Sequence, residues 1–243
     1  PDKERALLSI KVCDPACGSG AFLIAANDYL AKELARIRTG QPEPPDEEIR
    51  KARRDVLQHC IYGVDLNPMA VELCKVSLWI KSCVKQKPLN FLDHHIKCGN
   101  SLVGSTPQLL SGGIPDEAFD PVFGDDKAAS RKLKSLNRLQ RKNAILDRWL
   151  PGPVSRQTVL DEFEALVDWP EETPRDVERK RRMYEKLRRK LDYPRERLIA
   201  DAWTSAFFWP LQGRSKPPTN ATLLRLAAGL DLDAWTTQRI REI

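Results

Sequence analysis

The sequence predicts an α/β fold in which a partial, parallel sheet is followed by a mainly α-helical, basic insertion. Two observations carry this. Through residue 104, short apolar runs alternate with helix-length segments, the pattern of parallel strands joined by right-handed crossovers. From Ser105 the texture changes: Thr106-Pro107 and Ser111-Gly112-Gly113-Ile114-Pro115 break regular structure, and helical patterns then follow almost without strands. The expected division is residues 1–104 as one domain and 105–243 as a second.

Residues 8–13 form the first expected strand and 21–38 the helix it enters. A Pro-rich loop at 40–45 leads to a helix over 46–59 and a strand over 60–66. Asn67-Pro68 supplies an N-cap and a first-turn proline for a helix over 67–87, on which Met69, Leu73, Val76, Ile80 and Val84 share one face. Residues 95–102 close the series as a third strand and a small polar turn. After a loop at 116–126, helices are expected over 125–150, 155–167, 174–191, 194–208, 219–230 and 233–243, with Asn220 as an N-cap. Leu133, Leu136, Leu139, Leu146 and Leu150 would be the buried stripe of the first of these, and Val177, Tyr184, Leu187 and Leu191 that of the third.

The first strand meets its helix through Asp14-Pro15-Ala16-Cys17-Gly18-Ser19-Gly20-Ala21-Phe22-Leu23. Strand, glycine turn and helix N-terminus in that order make a nucleotide-cradling loop, because glycines let the backbone approach a ligand that side chains would exclude. A dinucleotide fingerprint would put its third glycine at position 23, which is Leu23. Asp14 would repel a pyrophosphate but attract the ammonium of a sulfonium-bearing amino acid. The loop therefore favours S-adenosylmethionine. Ile61-Tyr62-Gly63-Val64-Asp65-Leu66 ends in an acid suited to two ribose hydroxyls, and His95-Ile96-Lys97-Cys98-Gly99-Asn100-Ser101-Leu102 ends in a turn able to meet an adenine edge. The interval from Gly20 to Asp65 is about twice the roughly 20 residues usual in dinucleotide folds; the extra helix over 46–59 accounts for it.

DPACGSGAFL, YGVDLNPMAVELCKVSLWI and IKCGNSLVG resemble motifs I, II and III of the gamma-type N6-adenine-specific DNA methyltransferases, a group that includes fused restriction–modification enzymes and phage-defence methylases. The resemblance spans residues 10–104, less than half of the chain; residues 200–210 also resemble a stretch that precedes the catalytic motif in some of these enzymes. It implies a Rossmann-like, S-adenosylmethionine-dependent methyltransferase sheet, and a target adenine flipped out of double-stranded DNA. It also implies a cofactor-binding set. Asp14 would lie near the methionine amino group, with Ala16, Cys17, Gly18 and Gly20 along the turn, Cys17 through packing or backbone contact. Asp65 would take the ribose hydroxyls, Leu66 the adenine face and Asn100 the adenine amino group, with Phe22 and Ser101 completing the set.

The family's catalytic Asn-Pro-Pro-aromatic tetrapeptide is missing. Asn67-Pro68 continues into Met69, and Pro217-Pro218 lies between Lys216 and Thr219. No catalytic residue is therefore assigned, and the chain is expected to be a piece cut ahead of the catalytic loop, inactive by itself. Two alternatives stay open: an RNA or protein-glutamine methyltransferase, and a non-catalytic subunit that binds S-adenosylmethionine or DNA. The resemblance implies a fused or separate nuclease, helicase or specificity module as partner.

A formal charge of +6 is compatible with a nucleic-acid partner, and its distribution says more. Arg181, Arg182, Arg188 and Arg189 lie on one basic helix and are the candidate DNA contacts, set against the plainer reading of a solvated face, since acids are interspersed. No apolar run approaches membrane-spanning length and no basic-then-apolar leader precedes the first strand, which points to a cytoplasmic protein. The six cysteines form no CxxC pair and are expected to be reduced, mostly buried thiols. The three histidines have no Glu or Cys partner at metal-ligand spacing, so no metal is expected.

Overall fold

The computed structural model describes residues 2–142, 161–190, 193–212 and 216–242. Three parallel strands, β1 (Val12–Asp14), β2 (Ile61–Asp65) and β3 (Ile96–Cys98), lie side by side in that order. Val12 pairs with Ile61, Asp14 with Gly63 and Asp65 with Cys98. Both crossovers step the same way, and right-handed crossovers then place their helices on one face of the sheet. There α2 (Ala21–Thr39), α3 (Asp46–His59) and α4 (Pro68–Ser82) pack on one another. Leu23, Leu34, Val56, Leu57, Ile61, Leu78 and Ile96 are the sealed centre of this core.

The chain enters the sheet later than expected. Lys3–Leu8 is a helix, α1, where residue 8 was expected to open a strand: Asp2 caps it by accepting from the Arg5 amide at 3.2 Å, and Leu7 turns into the core. The third strand stops at Cys98, and residues 99–102 bend away without further strand. Helix α4 ends at Ser82, five residues short of the expected end at 87, because Cys83 is extended and Gln86 takes φ +65°. Met69, Leu73, Val76 and Ile80 do share a face of α4, but it is the outer one, 44–72% exposed; Val71, Cys74 and Leu78 turn inward instead.

The chain does not divide into compact units at residue 104. One unit gathers Pro1–Leu102 and Leu160–Leu187, the other Val103–Val159 and Arg188–Ile243. In the first unit, helical residues 161–167 (α7) and the part of α8 (Pro174–Lys190) up to Leu187 close over the segment before β3, where Phe91, Leu166, Tyr184 and Leu187 cluster. A buried polar knot fastens them. The Glu171 carboxylate accepts from Lys180 Nζ at 2.8 Å, from Asn90 Nδ2 at 2.8 Å and from the Phe91 amide at 3.3 Å. Arg54 of α3 donates to the Glu171 carbonyl at 2.5 Å and to the Pro88 carbonyl, while Gln58 donates to the carbonyls of Val167 and Trp169. Buried charges persist only when paired and hydrogen-bonded, and this group is. Burial pushes the Lys180 ammonium below its usual range, and Glu171 pulls it back.

The second unit contains α5 (Pro107–Ser111), a 3-10 turn at Asp116–Phe119, α6 (Lys127–Lys142), α9 (Tyr193–Ser205), α10 (Asn220–Ala227) and α11 (Ala234–Glu242). Ile114, Phe119, Trp203, Trp209, Leu223, Leu226 and Ile240 are its core. Asn220 is not a cap: its Oδ1 accepts from the Ile114 amide at 2.8 Å and its Nδ2 donates to Asn137 Oδ1 at 2.9 Å. The cap position belongs to Thr219, whose amide donates to Thr222 Oγ1. On α6, Leu136 and Leu139 are exposed and Leu133 half-buried, because Ser130 and Asn137 take the inward positions and bond to the Phe119 and Ile114 carbonyls. Leu146, Leu150, Leu191 and the expected helical residues 143–150 and 155–160 lie outside the described residues. Only Cys17, Cys60 and Cys74 are buried; Cys13, Cys83 and Cys98 are exposed, and all six are free thiols. Among the described residues no helix is long and apolar enough to cross a membrane.

Candidate cofactor site

Because the strands are parallel, Asp14, Asp65 and Cys98 end them at one edge of the sheet, and open α/β sheets bind ligands in the crevice outside those ends. The loop after β1 is locked by its own amides. Ala16 N donates to Asp14 Oδ1 at 3.0 Å, Cys17 N to the Val64 carbonyl at 2.9 Å, Gly18 N to Asp65 Oδ2 at 2.8 Å and Gly20 N to the Cys17 carbonyl at 2.8 Å. Gly18 (φ +52°) and Gly20 (φ +90°) adopt the left-handed conformation that only glycine takes freely. A Cβ at Gly18 would meet nothing within 4 Å, so this part of the turn faces open space. A Cβ at Gly20 would sit 2.8 Å from Cys74 Sγ.

Asp65 is the hub. Its Oδ1 accepts from the Asn67 amide at 2.8 Å and its Oδ2 from Gly18, and these two bonds, the Asn67 one foremost, hold the carboxyl below the usual carboxylate range. Each carboxylate oxygen has capacity for another donor. Asn67 Oδ1 caps α4 by accepting from Met69 N at 2.9 Å, and Gly99 N donates to the Asp65 carbonyl at 2.9 Å. In the third turn, Asn100 Oδ1 accepts from Leu102 N at 2.9 Å, and Ser101 Oγ donates to the Pro15 carbonyl at 2.7 Å. Phe22, Leu66, Met69 and Leu102, all of them exposed, supply apolar surface along these same elements. Carboxylates, an open glycine turn and apolar side chains fit an amphiphilic cation joined to a nucleoside, and so fit S-adenosylmethionine.

Asp14, Ala16, Gly18, Asp65 and Ser101 are thus drawn together by direct bonds or through the loop, and Asn100 shapes the third turn. Cys17 and Gly20 lie buried, so their part is to set the backbone, while Phe22 and Leu66 are exposed. Arg181, Arg182, Arg188 and Arg189 are not among these groups: all four are exposed on α8, where Glu178 lies 3.8 Å from Arg181 and 3.0 Å from Arg182. Two positions escaped the sequence. A Cβ at Gly63 would lie 2.8 Å from Leu23 Cδ1 and 3.1 Å from Cys17 Sγ, and a glycine inside a strand is the known mark of such close approach. Cys74, which fills the space beside Gly20, left no such mark; burial, with Cys17 next, pushes its thiol up to about 12.

The chain is similar to known methyltransferases. The family described as MmeI, DNA-methyltransferase domain, matches residues 3–102, and the family described as Eco57I restriction-modification methylase matches residues 59–185. A putative type II restriction enzyme and methyltransferase of Methanocaldococcus jannaschii is 36% identical over 104 residues, which are 39% of this chain and 9% of that protein. The adenine-specific methyltransferase PglX of Streptomyces coelicolor is 29% identical over 130 residues, 49% of this chain and 10% of that protein. The type II restriction enzyme and methyltransferase RM.Eco57I of Escherichia coli is 30% identical over 125 residues, 44% of this chain and 12% of that protein. No solved structure matches. The matched stretch is a small part of each relative, but the second family match extends over more than half of this chain: it belongs to the Eco57I restriction-modification methylase family.

Proposed function

We propose that this chain is the S-adenosylmethionine-binding part of a Rossmann-like DNA methyltransferase acting on the N6 amine of adenine in a restriction–modification or phage-defence protein. The observation that supports it best is the bond from Gly18 N to Asp65 Oδ2, which joins a glycine turn to an acid across two adjacent strand ends. Within residues 1–104, Asp14 holds the amino-acid ammonium, Asp65 the ribose hydroxyls and Leu66 one adenine face, with Asn100 at the adenine edge. Gly18 lets the backbone come close, and Phe22 shields the open side. When bound, S-adenosylmethionine supplies the methyl group; these residues bind and orient it. Double-stranded DNA is the proposed substrate, α8 arginines its phosphate contacts, and a nuclease, helicase or specificity module the proposed partner. No Asn-Pro-Pro-aromatic segment occurs in residues 1–243, so the chain alone binds cofactor without methylating adenine.

Calorimetry with S-adenosylmethionine tests this. Asp65→Ala is expected to weaken binding by about tenfold or more, the scale of charge-assisted hydrogen bonds. Affinity equal to that of the unaltered chain would remove Asp65 from the site. Transfer of labelled methyl groups to adenine by this chain alone would overturn its assignment as the cofactor part.

A further inference from the structure

We infer that Ser101 is a positioning residue, a clasp that fixes the spacing between the two outer walls of the crevice before any ligand arrives. This rests on the cofactor reading above. β1 and β3 are not neighbours: β2 lies between them, so their axes are about 9–10 Å apart at the usual strand spacing. Yet Ser101 Oγ, beyond β3, donates to the carbonyl of Pro15, beyond β1, at 2.7 Å. The two loops must therefore lean toward each other past the end of β2, where Asp65 stands.

The other ties on the first loop come from nearer by. Ala16 is held by Asp14 within the loop, and Cys17 and Gly18 by Val64 and Asp65 of β2. Those bonds fix the loop relative to the first two strands, and Gly99 N on the Asp65 carbonyl ties the third turn to β2. Ser101 joins loop and turn to each other directly. Asn100 prepares the bond, because its Oδ1 accepts from Leu102 N and so shapes the turn that carries Ser101. A gap fixed in the free protein spares the ligand the cost of ordering two loops, the general route by which preorganisation raises affinity.

The full chain is measured free and with S-adenosylmethionine, as Ser101→Ala, as Ser101→Thr and unaltered. Ser101→Ala is expected to speed hydrogen exchange of amides 16–18 in the ligand-free protein and to weaken cofactor binding about threefold to tenfold, the worth of one exposed hydrogen bond. Ser101→Thr, which keeps the hydroxyl, restores both. Unchanged exchange in ligand-free Ser101→Ala overturns the clasp, and weaker binding in that case makes Ser101 a direct ligand only. Asp65→Ala separates the two ideas: if it and the unaltered chain bind alike, or neither binds, the cofactor reading fails, while the exchange data still decide the clasp.

Discussion

Lys180 Nζ stands 2.8 Å from Glu171 Oε1, with the two side chains 0% and 1% exposed. Glu171 lies in the loop between α7 and α8 and Lys180 on α8, and the further bonds of Glu171 run to Asn90 and Phe91 in the segment before β3, with Arg54 on the Glu171 carbonyl. Water reaches neither charge, so each depends on the other and on the amide and carbonyl groups around them.

Removing one partner should therefore cost far more than an exposed ion pair would. Glu171→Ala leaves Lys180 buried without its counter-charge and is expected to destabilise the chain by about 3–5 kcal/mol. Urea unfolding of the single variant reads this directly. The double change Glu171→Leu with Lys180→Met is expected to recover only part of the loss, since apolar groups replace the ion pair at little cost but leave Asn90 Nδ2 and the Phe91 amide without their acceptor. A single variant within about 1 kcal/mol of the unaltered chain would mean that Lys180 reaches water.

Acid should weaken the fold before ordinary carboxylates titrate. His95 Nδ1 donates to the Ile61 carbonyl at 2.8 Å, and burial lowers its pKa to about 3. Burial, and then His95 beside it, pushes His94 down as well. Both rings are neutral in the folded protein, whereas in the unfolded chain they take up protons near pH 6.5. Their stabilising effect is complete above pH 6.5 and is lost as pH falls toward the folded values, at up to about 1.4 kcal/mol per pH unit for each ring. His94→Phe, which can keep the stacking on Phe91 now seen at 5.3 Å between centroids, is expected to flatten that loss in melts between pH 6.5 and 4.5. An acid limb as steep as that of the unaltered chain would clear His94 of the effect.

The proposed DNA binding through α8 would have a salt signature. Replacing Arg181, Arg182, Arg188 and Arg189 by Ala is expected to weaken duplex binding for all sequences alike and to flatten its salt dependence by about 0.9 in log–log slope for each phosphate that is no longer neutralised. Because Glu178 already lies beside Arg181 and Arg182, the change should be smaller than four fully neutralised phosphates would give. Fluorescence anisotropy over a salt series measures both quantities; an unchanged slope would make these arginines a solvated surface.

The alternation of β1, β2 and β3 with long helices could be read from the chain because glycines, prolines and apolar runs act locally: Gly18, Gly20 and Pro68 stand at the turns and helix start they punctuate. The ends of elements were less legible. One Asp2 cap draws residues 3–8 into a helix, although residue 8 looks like the start of a strand. Periodicity located the stripe Met69-Leu73-Val76-Ile80 but could not say which side of α4 the core would take. Least legible was the Glu171 knot. Lys180 sits in a run of cations that resembles a solvated face, and the carbonyl that Arg54 meets is 117 residues away in the chain. Nothing local distinguishes Lys180 from its exposed neighbours. Within the candidate site, Asp65 could be found from its place at a strand end, while the Ser101–Pro15 bond depends on how two separate turns bend and leaves no trace in spacing.

The return of Leu160–Leu187 to the first unit has a consequence for synthesis. On a ribosome adding about 5–20 residues per second, the sheet and its three helices emerge on the order of several seconds before Glu171 does. Throughout that interval Arg54 and Asn90 must stay hydrated, so the side of the nascent unit that they occupy cannot dry. It seals only when the α7–α8 segment arrives with its carboxylate and carbonyls. Residues 1–102 are therefore sealed only after a segment made well behind them has been added.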